Sequence, residues 1–434
     1  VIITASRRII DLNLGEITGW IVIDFSIMGL SWGGIRVGPD VTRAETEILA
    51  RMISLKSALA GIPIGGAKVG IAADPNTSDK EQLIRLLARN LRSLILGGYY
   101  IPGSDMGFGE EDVQKLYKML NISPSFTLHR GGKYLSHTGL AVAESLYTSI
   151  KIITDLEKTD VGDKVVLQGF GNMGSAAAYL LSKKGYRLMA ISNKDLTIAS
   201  PDGLDVDYLL ELRKIYGDDC LRSYARRSPY VKLLPPESVF DIEADIHIPG
   251  ARPLAIKRKP PCKLIAPLAN YPVSLSTARR LESSGVWVIP DIISTAGGAI
   301  GSALSIIGRP FEEDMADIEA ITCQNLVLVI TGAVRRGSTL LEEAYRLAWH
   351  RLNLLRRSGP LGLTEYMGHW VKAGRMQLLS RVIGILANFH NLAGHRVGGQ
   401  KDQVETLQHG CLPIHVAFPD VMARPMGGSV SYYR

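Results

Sequence analysis

The stretch KVVLQGFGNMGSAAAYL, residues 164–180, decides the fold. Val165, Val166 and Leu167 make a short apolar run with the β-branched content of a buried strand. Gly169, Gly171 and Gly174 follow at G-x-G-x-x-G spacing, with Asn172 and Met173 between the last two, and small residues then open a helix expected over 175–184. Gly169 permits a tight turn, Gly171 lets a pyrophosphate approach the backbone, and Gly174 brings helix and strand together. The helix N-terminus presents unpaired N–H groups and a positive dipole end to an anion. A dinucleotide suits that arrangement.

Working outward, the strand RLMAIS (187–192) ends at Asn193 and Lys194, where a carboxylate would hold the ribose hydroxyls of NAD. An amide beside a lysine does not repel a 2′-phosphate, so NADP, or use of both NAD and NADP, is the expectation. The strands ADIHIP (244–249), KLIAP (263–267) and VWVIP (286–290) continue the alternation, which indicates a parallel sheet with helices on its faces.

Upstream, residues 43–60 carry Ile48, Leu49, Met52, Ile53 and Leu59 near a 3.6 period, with Gly61 as the stop. GIPIGGAKVGIAADP then reads as a Gly-rich turn, a strand over 68–72 and a Pro stop, followed by a helix over 78–95. Lys68 is thereby expected where turn meets strand. Glycines and apolar residues around it point to a poorly hydrated setting that lowers an ammonium's pKa, as a lysine general base requires. Helical periodicity returns over 315–334 and 340–357, and 376–389 reads as a further amphipathic helix. The expected divisions are a substrate and oligomerisation domain (1–145), a dinucleotide-binding domain (146–310), helices packing on the first domain (311–360) and a tail without assigned chemistry (361–434).

Composition bounds the partners. At 46% hydrophobic and 21% charged, 434 residues suit a globular chain with two cores, and no run approaches the ~18 consecutive apolar residues of a spanning helix. No membrane partner is expected, and the first twenty residues lack a secretory pattern, which makes the cytoplasm the expected location. The net charge of +7 is diffuse, in short clusters (RRSP, KRKP, LLRRS) without aromatic interleaving, so nucleic acid is not expected as a partner. Four cysteines form no C-x-x-C pair, nine histidines form no H-E-x-x-H, and His390 and His395 are wrongly spaced for one helical face; no metal is expected.

Eight stretches occur in order: GWIVIDFSIMGLSWGGIR (19–36), SLKSALAGIPIGGAKVGI (54–71), IPGSDMG (101–107), HTGLAV (137–142), QGFGNMG (168–174), PDGLD (201–205), LANYP (268–272) and PDIISTAGG (290–298). Together they resemble the glutamate/leucine/phenylalanine/valine dehydrogenase family, its glutamate dehydrogenases above all. The resemblance implies an N-terminal α/β substrate domain, a Rossmann-like dinucleotide-binding domain, and C-terminal helices returning to the first. It implies NAD(P)-dependent oxidative deamination of an L-amino acid to a 2-oxoacid and ammonia by a homo-oligomer, typically a hexamer. By matched position, Lys56 holds the substrate α-carboxylate, Lys68 activates the attacking water and Asp105 shuttles protons. Thr138, Asn172, Pro249, Gly250, Ala251 and Asn270 match positions that line the nicotinamide or its ribose.

Trp32 stands where glutamate-specific members carry a lysine for the side-chain carboxylate, while Ser302 matches the serine that accompanies that lysine. Ser302 and family frequency favour glutamate; Trp32, with an indole in place of a cation, favours a branched-chain or aromatic amino acid as the alternative. Pro267 replaces the acid of the family's E-G-A-N motif and Thr295 the asparagine of N-A-G-G. Those departures leave a catalytically silent, nucleotide-binding homologue with a regulatory or interaction role as a further alternative.

Overall fold

The computed structural model describes residues 7–26, 29–62, 64–76, 79–122, 135–156, 160–306 and 311–354. The helix expected over 376–389, the pair His390 and His395, Cys411 and the tail 361–434 lie outside the described residues.

The first sheet is built from β1 (Arg8–Asp11), β2 (Thr18–Ile23), β3 (Ser31–Gly38), β4 (Gly65–Ala72) and β5 (Ile101–Gly103) in the order β1-β2-β4-β3-β5. β3 runs parallel to β4 and β5, whereas β1 and β2 are antiparallel additions on the other side. Helix α1 (Arg43–Ala60) starts at Thr42, whose side chain accepts the Glu45 N–H, and stops at Gly61 in the left-handed conformation with φ 72°. Helices α2 (Lys80–Leu96) and α3 (Glu110–Met119) cover one sheet face, where Ile35, Val69 and Ile71 pack with Leu83, Leu87 and Leu116.

α1 covers the other face, and glycine makes this possible. A Cβ on Gly66 would lie 2.4 Å from the Ala50 carbonyl oxygen, and one on Gly70 would lie 2.1 Å from Thr46 Oγ1. Strand pleating puts Lys68, midway between them, on that same α1 face. β4 therefore begins three residues before the expected strand start at Lys68. Gly65 and Gly66 read as a turn in the sequence, yet they are strand residues without side chains because the Phe25 backbone and α1 press against them.

Helix α4 (His137–Thr154) runs through residue 145 and leads to the second sheet. This comprises β6 (Lys164–Gln168), β7 (Arg187–Ser192), β8 (Thr197–Ala199), β9 (Lys232–Leu234), β10 (Ile246–Pro249), β11 (Leu264–Ile265) and β12 (Trp287–Val288), in the order β12-β11-β10-β6-β7-β8-β9. The strands from β12 to β7 are parallel; β8 and β9 extend the edge antiparallel. Helices α5 (Asn172–Lys183), α6 (Val206–Tyr216), α7 (Cys220–Arg227), α8 (Leu275–Ser283) and the short α9 (Asp291–Ser294) complete this layer. α5 begins at Asn172, earlier than the expected 175, because the helix is capped by Gly171 itself.

Helices α10 (Gly297–Ile306), α11 (Phe311–Arg336) and α12 (340–354) return to the first sheet. The Tyr345 hydroxyl lies 3.5 Å from Met52 Sδ, the Arg51 guanidinium stacks 4.6 Å from the Trp349 ring centre, and Arg351 donates to the Leu59 carbonyl. Within α11, the segment Asp314–Arg336 is long and apolar enough to cross a membrane by length and composition alone. Its Ile318, Ile321, Leu326 and Val329 are buried in the protein, together with Asp314, Asp317 and Asn325. Half of its most apolar stretch is buried in this way, while Val327, Leu328 and Val334 are exposed.

Gly33 carries the tightest approach in the first sheet: a Cβ there would sit 1.7 Å from the Ala67 carbonyl oxygen. Gly33→Ala is expected to destabilise the chain by about 2 kcal/mol or more, read from the urea midpoint at constant slope.

Candidate active site

Lys68 is 6% exposed on the α1 face of β4, and its ammonium pairs with Asp105. Asp105 is held by a tight turn after β5: its N–H donates to the Phe108 carbonyl at 2.9 Å, and its Oδ1 accepts the Met106 N–H at 2.7 Å. Gly34 makes room, because a Cβ there would lie 2.8 Å from Asp105 Cβ. Arg36, two residues on, places Nε and Nη2 each 3.4 Å from the Asp105 oxygens and donates through Nη1 to Glu45 at 2.6 Å. GGIR thus contributes a cation to the carboxylate as well as backbone space. The sequence motif carried this arginine, but its partner could not be read from spacing.

Burial lowers the Lys68 pKa from the ordinary lysine value, Arg36 adds to that, and Asp105 opposes it. Burial pushes the Asp105 carboxyl up, but Lys68 and Arg36 outweigh it and hold the group at about 2. Lys56, 8% exposed on α1, is lowered by burial to about 8, against the opposing charge of Asp291. Its ammonium donates to the Asn270 amide oxygen in the loop after β11. One ammonium therefore bridges the two halves of the chain.

The dinucleotide loop lies at the C-terminal ends of β6 and β10, where strand order reverses. Gly169 has φ +94°, and a Cβ on it would lie 3.3 Å from the Gly250 carbonyl oxygen. A Cβ on Gly174 would lie 1.9 Å from the Gly169 carbonyl oxygen, whereas one on Gly171 meets nothing within 4 Å. The first turn of α5, including Asn172 and Met173, has no side-chain cap, so its N–H groups are left for an anion. Arg213 on α6 crosses this loop, donating to the Phe170 carbonyl at 3.1 Å and to Asn172 Oδ1 at 3.0 Å. No motif pointed to Arg213, which stands about forty residues away.

The other expected positions gather around this loop. The Pro249 carbonyl accepts the Leu268 and Ala269 N–H groups, both at 2.9 Å, directly before Asn270. The Ala251 N–H reaches Gln168 Oε1 at 3.4 Å. Thr138 is in the first turn of α4; a Cβ on neighbouring Gly139 would be 3.0 Å from the Asn172 carbonyl oxygen, and one on Gly298 would be 3.4 Å from Thr138 Cγ2. Asn193 is half-buried and closes its own turn: its Oδ1 accepts the Asp195 and Leu196 N–H groups at 2.9 and 3.0 Å, and its Nδ2 donates to the Asp218 carbonyl at 2.8 Å. Lys194 is exposed and lies 3.5 Å from Asp218. These residues fit a dinucleotide, with an open glycine backbone and an uncapped helix end where the pyrophosphate would go.

Trp32 is 9% exposed, and its indole N–H donates to Ser57 Oγ at 3.2 Å. Leu30, Ala60, Ile62, Ile64, Ile300 and Ala303 share its cluster. The Ser302 hydroxyl is engaged within α10, donating to the Gly298 carbonyl at 2.7 Å. Pro267 and Thr295 serve backbone contacts: the Pro267 carbonyl accepts from Ser294 Oγ at 2.6 Å, and Thr295 Oγ1 donates to the Asp291 carbonyl at 2.5 Å. Among the described residues, no three His, Cys, Asp or Glu side chains are placed to share a metal ion.

Comparison with known proteins bears on this geometry. Residues 133–355 match the family model Glutamate/Leucine/Phenylalanine/Valine dehydrogenase, and residues 7–121 match the Glu/Leu/Phe/Val dehydrogenase dimerisation domain. The chain belongs to this family. It is 30% identical over 311 residues to the NADP-specific glutamate dehydrogenase of Saccharolobus shibatae, covering 67% of this chain and 71% of that one. It is 27% identical over 310 residues to the NAD-specific glutamate dehydrogenase of Staphylococcus aureus, covering 67% and 72%. The fold is shared with the hetero-hexameric glutamate dehydrogenase of Thermus thermophilus in its leucine-bound form, with a TM-score of 0.67, 24% identity and coverage of 80% and 88%. Membership carries with it NAD(P)-dependent dehydrogenation of an amino acid.

Because a methyl at Gly171 meets no protein atom and its φ of −83° suits any residue, Gly171→Ala is expected to leave stability within about 0.5 kcal/mol. Its dinucleotide affinity, titrated by nucleotide fluorescence, is expected to fall by about tenfold, since the methyl occupies the anion's approach.

Proposed function

We propose that this chain catalyses reversible oxidative deamination of an L-amino acid with an apolar side chain to a 2-oxoacid and ammonia. Burial of the Trp32 indole among aliphatic side chains carries this reading. A glutamate side chain brought there would lose water and gain no cation, which is costly for a carboxylate. Engagement of the Ser302 hydroxyl inside its own helix favours the same conclusion over glutamate.

In this reading a nicotinamide dinucleotide held at Gly169, Gly171 and the start of α5 would supply the acceptor for the hydride of the substrate Cα. The Lys56 ammonium, steadied by Asn270, holds the α-carboxylate. Lys68 in its amine form takes a proton from the water that attacks the imine carbon. The resulting ammonium beside an ionised Asp105 has the protonation of the pair described above. Asp105 passes the proton from the Lys68 ammonium to the amine nitrogen, and as the C–N bond breaks the hydroxyl of the adduct gives its proton back to Lys68; Arg36 keeps the carboxylate turned toward Lys68. Asn193 and Lys194, offering no carboxylate to a ribose, support acceptance of NADP as well as NAD. The match of residues 7–121 to a dimerisation domain supports assembly with further copies of the chain, a hexamer being the family-typical state.

The test is a panel of amino acids with each cofactor. Leucine-like or aromatic substrates are expected to exceed glutamate in kcat/KM, and Trp32→Lys to shift that ratio toward glutamate by about tenfold or more. Lys68→Met is expected to lose turnover by a factor on the order of 10²–10⁴; wild-type turnover in that variant overturns the mechanism. The pH dependence has a defined sign. Lys56 is charged below about 8 and neutral above it, so the Kd of a 2-oxoacid, which has no titrating amine, is expected to rise about tenfold per pH unit above that point.

A further inference from the structure

Asp291 is 1% exposed and belongs neither to the glycine loop nor to the Lys68–Asp105 pair. Its Oδ2 accepts the Tyr271 N–H at 2.7 Å and its Oδ1 accepts the Tyr345 hydroxyl at 3.1 Å. The first contact restrains an unusual turn, since Tyr271 has φ +53°, a left-handed conformation that aromatic residues rarely adopt. Immediately before it stands Asn270, the acceptor of the Lys56 ammonium. The second contact reaches α12, where the Tyr345 hydroxyl also touches Met52, one helical turn before Lys56 on α1. The turn and α12 thus meet at one carboxylate, and α1 joins them through the Tyr345 hydroxyl.

We propose that Asp291 is a positioning residue that locks α12 to the turn at 270–271 and so aims Asn270 at Lys56, holding that ammonium ready for the substrate carboxylate. The proposal deepens, and rests on, the reading of Lys56 as the carboxylate holder. The charge acts in the same direction as the geometry. The groups that face Lys56 are Asn270, Asp291, Lys68 and Asp105. Burial and Lys68 favour the neutral amine; Asp291, more than Asp105, favours the ammonium. Burial pushes the Asp291 carboxyl up in turn, opposed by the Tyr271 N–H, by Lys56 and by the Tyr345 hydroxyl. A carboxylate serving only as a fold staple would change stability when removed and leave the Lys56 titration where it was.

Asp291→Asn separates these roles, because the amide oxygen still accepts the Tyr271 N–H while the charge is gone. Acylation of the full chain with an amine-directed reagent across pH, quantified at Lys56 by mass spectrometry, is expected to show a midpoint about one pH unit lower than in the wild type. KM for the amino acid is expected to rise about tenfold with kcat within about twofold, and cofactor affinity to stay unchanged. Tyr345→Phe removes one hydrogen bond at nearly constant volume and is expected to raise KM about threefold with kcat retained, which keeps the proposal open to test if Asp291→Asn does not fold. An unshifted Lys56 midpoint in Asp291→Asn, or an unchanged KM in Tyr345→Phe, overturns it. Failure of the underlying reading looks different: Lys56→Ala would keep the wild-type KM, while the Lys56 midpoint would still fall in Asp291→Asn.

Discussion

Two lysine ammonium groups kept out of water between α1 and its neighbours set the terms for the rest of the site. Burying a cation costs several kcal/mol unless a partner compensates, and here each has a carboxylate beside it. Asp105 serves Lys68, and Asp291 acts on Lys56. Asp105 could not reach Lys68 if the backbones stood at ordinary separations. Gly33, Gly34, Gly66 and Gly70 remove the side chains that would keep β3, β4, β5 and α1 apart, so the glycines that look like flexibility in the sequence work as contact surfaces.

The same economy joins the halves of the chain. α4 begins between the glycine loop and α10, with Gly139 against Asn172 and Gly298 against Thr138. α10 in turn supplies Ile300 and Ala303 to the cluster that buries Trp32. A change in the side-chain pocket is thereby only one helix removed from the dinucleotide loop, and the Lys56–Asn270 contact closes the circuit on the other side.

The parts legible in the sequence were those written in local periods. Helix 43–60, its stop at Gly61, the strand before Gly169 and the parallel run of strands all follow from patterns a few residues long, and ordered motifs placed Lys56, Lys68 and Asp105 within the family. What stayed hidden depends on contacts across hundreds of residues. Asp291 stands in a motif that gives it no role, Tyr345 falls within a helical period that says nothing of its hydroxyl, and Arg213 carries no signal at all. The strand start at Gly65 was missed because glycine pairs read as turns unless the helix pressing on them is known. The three-residue strands β8 and β9 are too short to carry a period.

The return of α12 to α1 has a consequence for synthesis. Met52 and Leu59 emerge from the ribosome roughly three hundred residues before Tyr345 and Arg351, which touch them. The first sheet can pair its strands early, but α1 must wait with the Lys56 ammonium and an apolar flank unfinished until most of the described chain is made. Such long-separation closure is slow and leaves an incomplete surface exposed in the meantime, which makes the nascent chain a natural client for chaperones.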